Sequence, residues 1–166
     1  TYLLDASDLN ESPIDITATL MAVQNSWEAE KKEKDEARLF TLKQKFRTMI
    51  NQNFNIIAWS PDETKILYQA SISAQMPIFR KPRLIGNNLL YERRDLEENG
   101  IYVYDIKEDI NTRIIGSEEK IHQQLTTNNQ QPISWFPDSS HLIYVHDKKI
   151  EIVEDDGANM TTIYAG

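Results

Sequence analysis

Asn55-Ile-Ile-Ala-Trp59-Ser60-Pro61-Asp62-Glu63-Thr64-Lys65-Ile66-Leu67-Tyr68 returns later in the chain as Pro132-Ile-Ser-Trp135-Phe136-Pro137-Asp138-Ser139-Ser140-His141-Leu142-Ile143-Tyr144. Trp59 and Trp135 stand 76 positions apart, and Pro61 with Pro137, Asp62 with Asp138 and Tyr68 with Tyr144 keep that interval. In a chain with three Trp and six Pro, such agreement marks an internal repeat. Its physics is legible. A short β-prone run ends at Trp, Pro presets φ for a turn, and Asp can bond its own backbone there. A second apolar run, Lys65–Gln69 or His141–Val145, then returns antiparallel.

Outward from the later copy, Lys149-Ile-Glu-Ile-Val153 alternates polar and apolar with period two, which predicts a strand. Asp155-Asp156-Gly157 predicts a hairpin turn, and Met160–Tyr164 a fourth strand. Four short strands joined by tight turns make one meander of the size of a β-propeller blade. The earlier copy has the same parts further apart, with Gly100-Ile-Tyr-Val-Tyr-Asp105 as third strand and Thr112–Ile115 as fourth. An insertion, Ser73 to Asn99, separates its second and third strands. Tyr2–Asp5 and Pro13–Thr17 read as the last two strands of a preceding blade.

The expected fold is therefore mainly β: a partial β-propeller of about two and a half four-stranded antiparallel blades with a long α-helical insertion. Residues 1–17 end one blade, 18–53 form the helical insertion, and 54–116 form a blade interrupted at 73–99. Residues 117–132 make a polar loop, and 133–166 the last blade. Trp59, Pro61, Asp62, Tyr68, Trp135, Pro137, Asp138 and Tyr144 are the structural repeat positions. Propellers use roughly 4–8 blades of ~40–45 residues. This chain cannot supply four, and it begins at Thr1, so the expectation is a piece of something longer, the alternative being that other copies complete the ring.

Trp-Ser-Pro-Asp followed by Lys-Ile-Leu-Tyr, then Ile-Tyr-Val-Tyr-Asp and Asp-Asp-Gly, resembles the TolB-like, WD-repeat-like bacterial β-propellers. Gly100–Asp109 is also similar to propeller domains of surface proteins that carry PEGA modules. One departure is that the family's glycine after Pro-Asp is Glu63 and Ser139 here, which predicts a type I turn rather than one with φ > 0. The resemblance implies a binding or scaffolding role in the cell envelope, outside the cytoplasm. The partner it implies is a protein or cell-surface ligand, along with the rest of a propeller in the same parent chain.

Ala18 to Asn53 has another character, with no Gly or Pro and many Glu, Lys, Ala, Leu and Gln, all good helix formers. Glu28–Lys32, Glu30–Lys34 and Lys32–Glu36 are spaced for ion pairs along a helix. Leu20, Val23 and Trp27 share a face at one end, and Leu39, Leu42, Phe46, Met49 and Ile50 at the other. This pattern predicts two docked ends and a solvated centre, either as an insertion lying on the surface or as an arm for a partner.

Composition narrows function by exclusion. Twenty-six acidic against 18 basic residues leave a net charge of −8, which argues against general nucleic-acid binding. No apolar run reaches the ~20 residues that cross a bilayer as a helix. The absence of cysteine removes disulfides, thiolate metal sites and cysteine nucleophiles. No phosphate loop, dinucleotide fingerprint, Gly-x-Ser-x-Gly elbow or His-Glu-x-x-His appears. His141 and His146, five apart on one strand, face opposite sides and cannot share a metal. His122 lies in the polar loop, where a solvated histidine is the simpler assignment. Glu151, Glu154, Asp155 and Asp156 are acidic but lack the ligand spacing of an EF-hand loop.

No catalytic, cofactor-binding or metal-ligating residue is thus assigned, and the chain is expected not to be an enzyme. Arg80-Lys81-Pro82-Arg83 and Arg93-Arg94 flank the 73–99 insertion and stand out in an acidic chain. Arg80, Lys81, Arg83, Arg93 and Arg94 are therefore the candidate partner contacts, unless nearby carboxylates pair with them. Two other functions remain open on the residues alone. One is the gating propeller of a larger hydrolase or peptidase. The other is a self-contained enzyme in which Asp and Glu side chains hold a metal.

Overall fold

The structure is a computed structural model that describes residues 1–4, 13–82, 90–116 and 133–166. The expected polar loop 117–132, with His122, lies outside the described residues, as does Arg83. The chain divides into two compact units, Thr1–Arg47 and Thr48–Gly166.

In the first unit, β1 (Tyr2–Leu3) and β2 (Ile14–Asp15) pair antiparallel. The Asp15 carboxylate accepts from the Thr17 hydroxyl at 2.6 Å and from its N–H at 2.9 Å, closing the turn into the helix. α1 (Leu20–Phe40) follows, laced by Glu30–Lys34 at 2.7 Å and Lys32–Glu36 at 3.9 Å. Thr41 ends it. Its N–H donates to the Arg38 carbonyl, the Leu42 N–H to the Leu39 carbonyl, and the Thr41 hydroxyl to Arg38 O at 2.7 Å, so helix-end acceptors are satisfied without glycine. α2 (Gln44–Asn53) then begins on the Lys43 carbonyl and crosses the division between the units.

The single long helical insertion expected over 18–53 is therefore corrected to two helices, of which α1 has 21 residues. Within α1 no side chain is fully buried: Leu20, Val23 and Leu39 are half-buried, and Trp27 is exposed. Burial falls on α2 instead, at Phe46 and Ile50. No described helix is long and apolar enough to cross a membrane.

Among its described residues the second unit holds ten strands. β3 (Phe54–Trp59) and β4 (Lys65–Ala70) are followed by the short β5 (Ala74–Gln75) and β6 (Asp95–Leu96), then β7 (Ile101–Asp105) and β8 (Ile110–Ile115). β9 (Ile133–Trp135), β10 (His141–His146), β11 (Lys149–Glu154) and β12 (Thr161–Ala165) complete the chain. A first four-stranded sheet has the order β3-β4-β7-β8 and a second β12-β11-β10-β9, while β5 and β6 pair within the insertion. All pairings are antiparallel.

The expected fold class is corrected here. The described residues form four small antiparallel sheets and two helices, and no propeller closes. The Glu63 N–H donates to Ser60 O at 2.8 Å and the Ser139 N–H to Phe136 O at 3.2 Å, closing each Pro-Asp turn as a type I turn would. The expectation that no φ > 0 occurs there is corrected: Glu63 and Ser139, after each Pro-Asp, take φ of 60° and 61°, in the left-handed region that non-glycine residues rarely enter.

Alternation gives each four-stranded sheet two distinct faces. In the first, Leu67 opposite Ala58 and Val103, with Ile101 opposite Ile115, makes an aliphatic face. Its other side, a tyrosine face, carries Ile66, Tyr68, Tyr102 and Tyr104. In the second sheet the tyrosine face carries Trp135, Leu142 and Val153 in one row and Ile133 and Tyr144 in the next. The core is the aliphatic face of the first sheet against the tyrosine face of the second. Ile57, Leu67, Ile101, Val103, Ile114 and Ile115 meet Ile133, Leu142, Tyr144 and Val153, with Ala58 and Trp135 at the edge. Each such side chain taken fully from water contributes about 1.5–3 kcal/mol.

Candidate interaction surface

The two Pro-Asp turns meet at the edge of that core. Asp62 bonds the Ser60 hydroxyl at 2.6 Å and both the N–H and hydroxyl of Thr64, and these bonds, the Ser60 one foremost, hold its carboxyl down at about 2. The Asp62 N–H donates to Ser139 Oγ at 3.1 Å. Lys65 Nζ donates to the Ser139 carbonyl and to Asp155 Oδ2, each at 2.9 Å. Asp138 repeats the local pattern with the N–H groups of Ser140 and His141, and its Oδ2 lies 2.6 Å from His141 Nδ1. The repeat positions Pro61, Asp62, Pro137 and Asp138 therefore shape turns, and one turn grips the other sheet.

The basic positions of the insertion divide. Arg94 is turned inward, where Nε meets Glu92 at 2.6 Å and Nη1 meets Asp109 Oδ1 at 3.1 Å, and where it also bonds the Asp109 carbonyl. Buried Asp109 further accepts from Tyr104 OH at 2.8 Å and from the N–H groups of Phe79 and Arg80. The Arg80 guanidinium bonds the Lys107 carbonyl. Tyr68 OH donates to Asn111 at 2.7 Å, and Asn111 donates to Arg93 O. Burial, with neighbouring charge, raises the Tyr68 and Tyr104 hydroxyls far beyond their usual range. This network ties the insertion onto the tyrosine face of the first sheet, where Phe54, Tyr68 and Tyr102 also stack. Lys81 and the Arg93 side chain remain exposed at the surface.

A cleft of about 180 Å³ is lined by Tyr91, Val103, Asp105, Glu108, Ile110, Thr112, Asp155 and Asp156. Burial raises the Asp105 carboxyl above its usual range. Asp155 is already paired with Lys65. Among the described residues, no group of three His, Asp or Glu side chains is placed to hold a metal ion. His146 Nε2 lies 2.7 Å from Glu151 Oε2, and Thr162 donates to Glu151 Oε1 at 2.9 Å. Histidine and threonine thus meet opposite oxygens of one carboxylate, so His146 is not placed to draw a proton from Thr162.

The second sheet has one face left. Ile143 opposite Ser134 and Ile152, with Val145 opposite Ile150 and Ile150 opposite Tyr164, forms its aliphatic face. Position by position it repeats the buried face of the first sheet. Ile143 pairs with Ile152 as Leu67 pairs with Val103, and Ile150 with Tyr164 as Ile101 with Ile115. Even the register shift between the third and fourth strands recurs, after Ile101 and after Ile150. Yet Leu67, Val103 and Ile115 are 0%, 2% and 1% exposed, whereas their counterparts Ile143 and Ile152 are half-buried and Tyr164 is 57% exposed. Extending the Trp59–Trp135 interval from Leu67 to Ile143 would have exposed this face in the sequence. Its openness would not have shown. Comparison with protein-family models, curated proteins and solved structures gives no match to the chain.

Proposed function

We propose that this chain is a non-catalytic protein-binding or scaffolding module whose recognition surface is the aliphatic face of the second sheet. One observation carries the proposal: in the same register, Leu67, Ile101, Val103 and Ile115 of the first sheet are buried, whereas in the second Ile143, Ile150 and Ile152 are half-buried and Tyr164 is exposed. Ile143, Val145, Ile150, Ile152 and Tyr164 make a contiguous apolar surface on a regular sheet, the kind of patch that marks an interaction site. Catalysis has no comparable support, because the polar clusters serve turns, the insertion and the sheet edge.

The test is binding of the apolar fluorophore ANS to the intact chain and to a Val145→Glu, Ile152→Glu variant. Both positions reach solvent, so the variant is expected to keep its far-ultraviolet circular dichroism and unfold cooperatively. Loss of ANS fluorescence in that folded variant supports the proposal. An unchanged signal places the apolar surface elsewhere and defeats it.

A further inference from the structure

We infer that the element docking on this open face is a further antiparallel β-sheet presenting alternating Leu, Tyr and Val side chains. This rests on the binding-surface proposal above and names its partner's chemistry. Inside the chain, the aliphatic face of the first sheet is covered by a face of that kind, Trp135, Leu142, Tyr144 and Val153 with Ile133. The open face repeats the covered one in strand order, pairing and bulge position, with Ile143, Ile150 and Ile152 standing for Leu67, Ile101 and Val103. The existing sheet-to-sheet interface therefore continues outward with the same residue classes on offer.

The corner is kept as well. Lys65 and Asp105 are paired at the rim of the covered face, where Lys65 reaches the Ser139 carbonyl and Asp155 of the next sheet. His141 and Glu154 hold the same paired positions at the rim of the open face. A nitrogen-bearing side chain thus holds the Lys65 position, although its Nδ1 meets Asp138 Oδ2 of its own turn at 2.6 Å.

A second copy of this chain, stacked in the same sense, does not fit. Both of its tyrosine faces are occupied: Ile66, Tyr68 and Tyr102 are 0% exposed under the insertion network, and Leu142 and Val153 are 0% exposed against the first sheet. The complementary face must come from another polypeptide segment.

The experiment is an extended chain in which residues 117–166 are repeated after Gly166. A new tyrosine face then follows the open aliphatic face at nearly the interval that separates the two existing sheets. The expected result is a monomer in sedimentation velocity, with one unfolding transition at a higher Tm than the natural chain. Amide exchange in Thr161–Ala165 should slow about tenfold or more, since docking removes local opening of that edge. Val145→Glu with Ile152→Glu in the original sheet should release the appended repeat as freely exchanging chain. An appended repeat that exchanges freely in the unsubstituted extended chain overturns the inference. So does dimerisation of the natural chain through this face, blocked by the same substitutions. Either result leaves the binding surface itself to the ANS measurement, which fails independently.

Discussion

Leu67 and Ile143 occupy one register position in two sheets of the same build, facing Val103 and Ile152 across equivalent strand pairs, yet only Leu67 is sealed from water. The difference comes from a neighbour, since Leu67 packs in the core against the second sheet, whereas Ile143 stands outside that core and is half-buried.

Truncation should therefore cost unequal amounts at the two positions. Leu67→Ala is expected to destabilise by about 3–4 kcal/mol, as fully packed leucines do, and Ile143→Ala by about 1–2 kcal/mol because its site is half open. Urea unfolding midpoints measure the gap directly. Equal losses would mean that Ile143 is as tightly packed as Leu67.

The left-handed residues after the Pro-Asp turns should respond differently to glycine. Glu63→Gly relieves a positive φ and is expected to stabilise by up to about 1 kcal/mol. Ser139→Gly relieves the same strain but removes the hydroxyl that accepts the Asp62 N–H, so no gain is expected. Thermal unfolding of both variants separates the effects.

Acidification has a definite sign. Asp62, held at about 2, and Asp138 and Glu151, also lowered, stabilise fully above the ~4 of an unfolded carboxyl. That contribution is lost as pH falls through their folded values, so Tm should drop between about pH 4 and about pH 2. Asp62→Asn should lower Tm at pH 7 and flatten the acid limb. Asp105 works in the opposite sense: its raised carboxyl contributes below its unfolded value and loses that contribution as pH rises through the folded one.

Breaking the buried network should be severe. Asp109→Ala leaves Arg94 with Glu92 alone as carboxylate partner and takes the acceptor from the Tyr104 hydroxyl and two backbone N–H groups, at a cost of about 3–5 kcal/mol. Tyr104→Phe removes one bond and should cost about 1 kcal/mol. Hydrogen exchange across Ala74–Arg80 would show whether the insertion lifts off the sheet.

Trp135 packs at the edge of the core, and its Nε1 has no hydrogen-bond partner among the described residues. Trp135→Ala is expected to cost about 3 kcal/mol, near the lower end for large aromatics. Trp135→Phe keeps most of the contact and discards the unpaired donor, so its loss should be markedly smaller.

The strands were the most legible part of the sequence. Period-two alternation in Ile101–Asp105 and Lys149–Val153 fixes which side chains share a face, and the repeat aligns them. The helix break at Thr41 was hidden, because it depends on a hydroxyl closing on a carbonyl rather than on Gly or Pro. In the sequence Arg80 and Arg94 read either as partner contacts or as charges paired with nearby carboxylates, and Arg94 does pair with Glu92. The other partners, Lys107 O and Asp109, lie across a hairpin that only the sheet brings close. The open face was half legible, since its apolar residues are plain while the lack of a covering sheet among the described residues is a property of the fold.

Methyl-resolved NMR of the isoleucine, leucine and valine side chains, titrated with ANS, tests the central claim most directly. The expected result is chemical-shift change at Ile143, Val145, Ile150 and Ile152, with Leu67, Val103 and Leu142 unmoved. Shifts confined to Val103 and Ile110, beside the acidic cleft, would contradict it and move the binding surface to the first sheet.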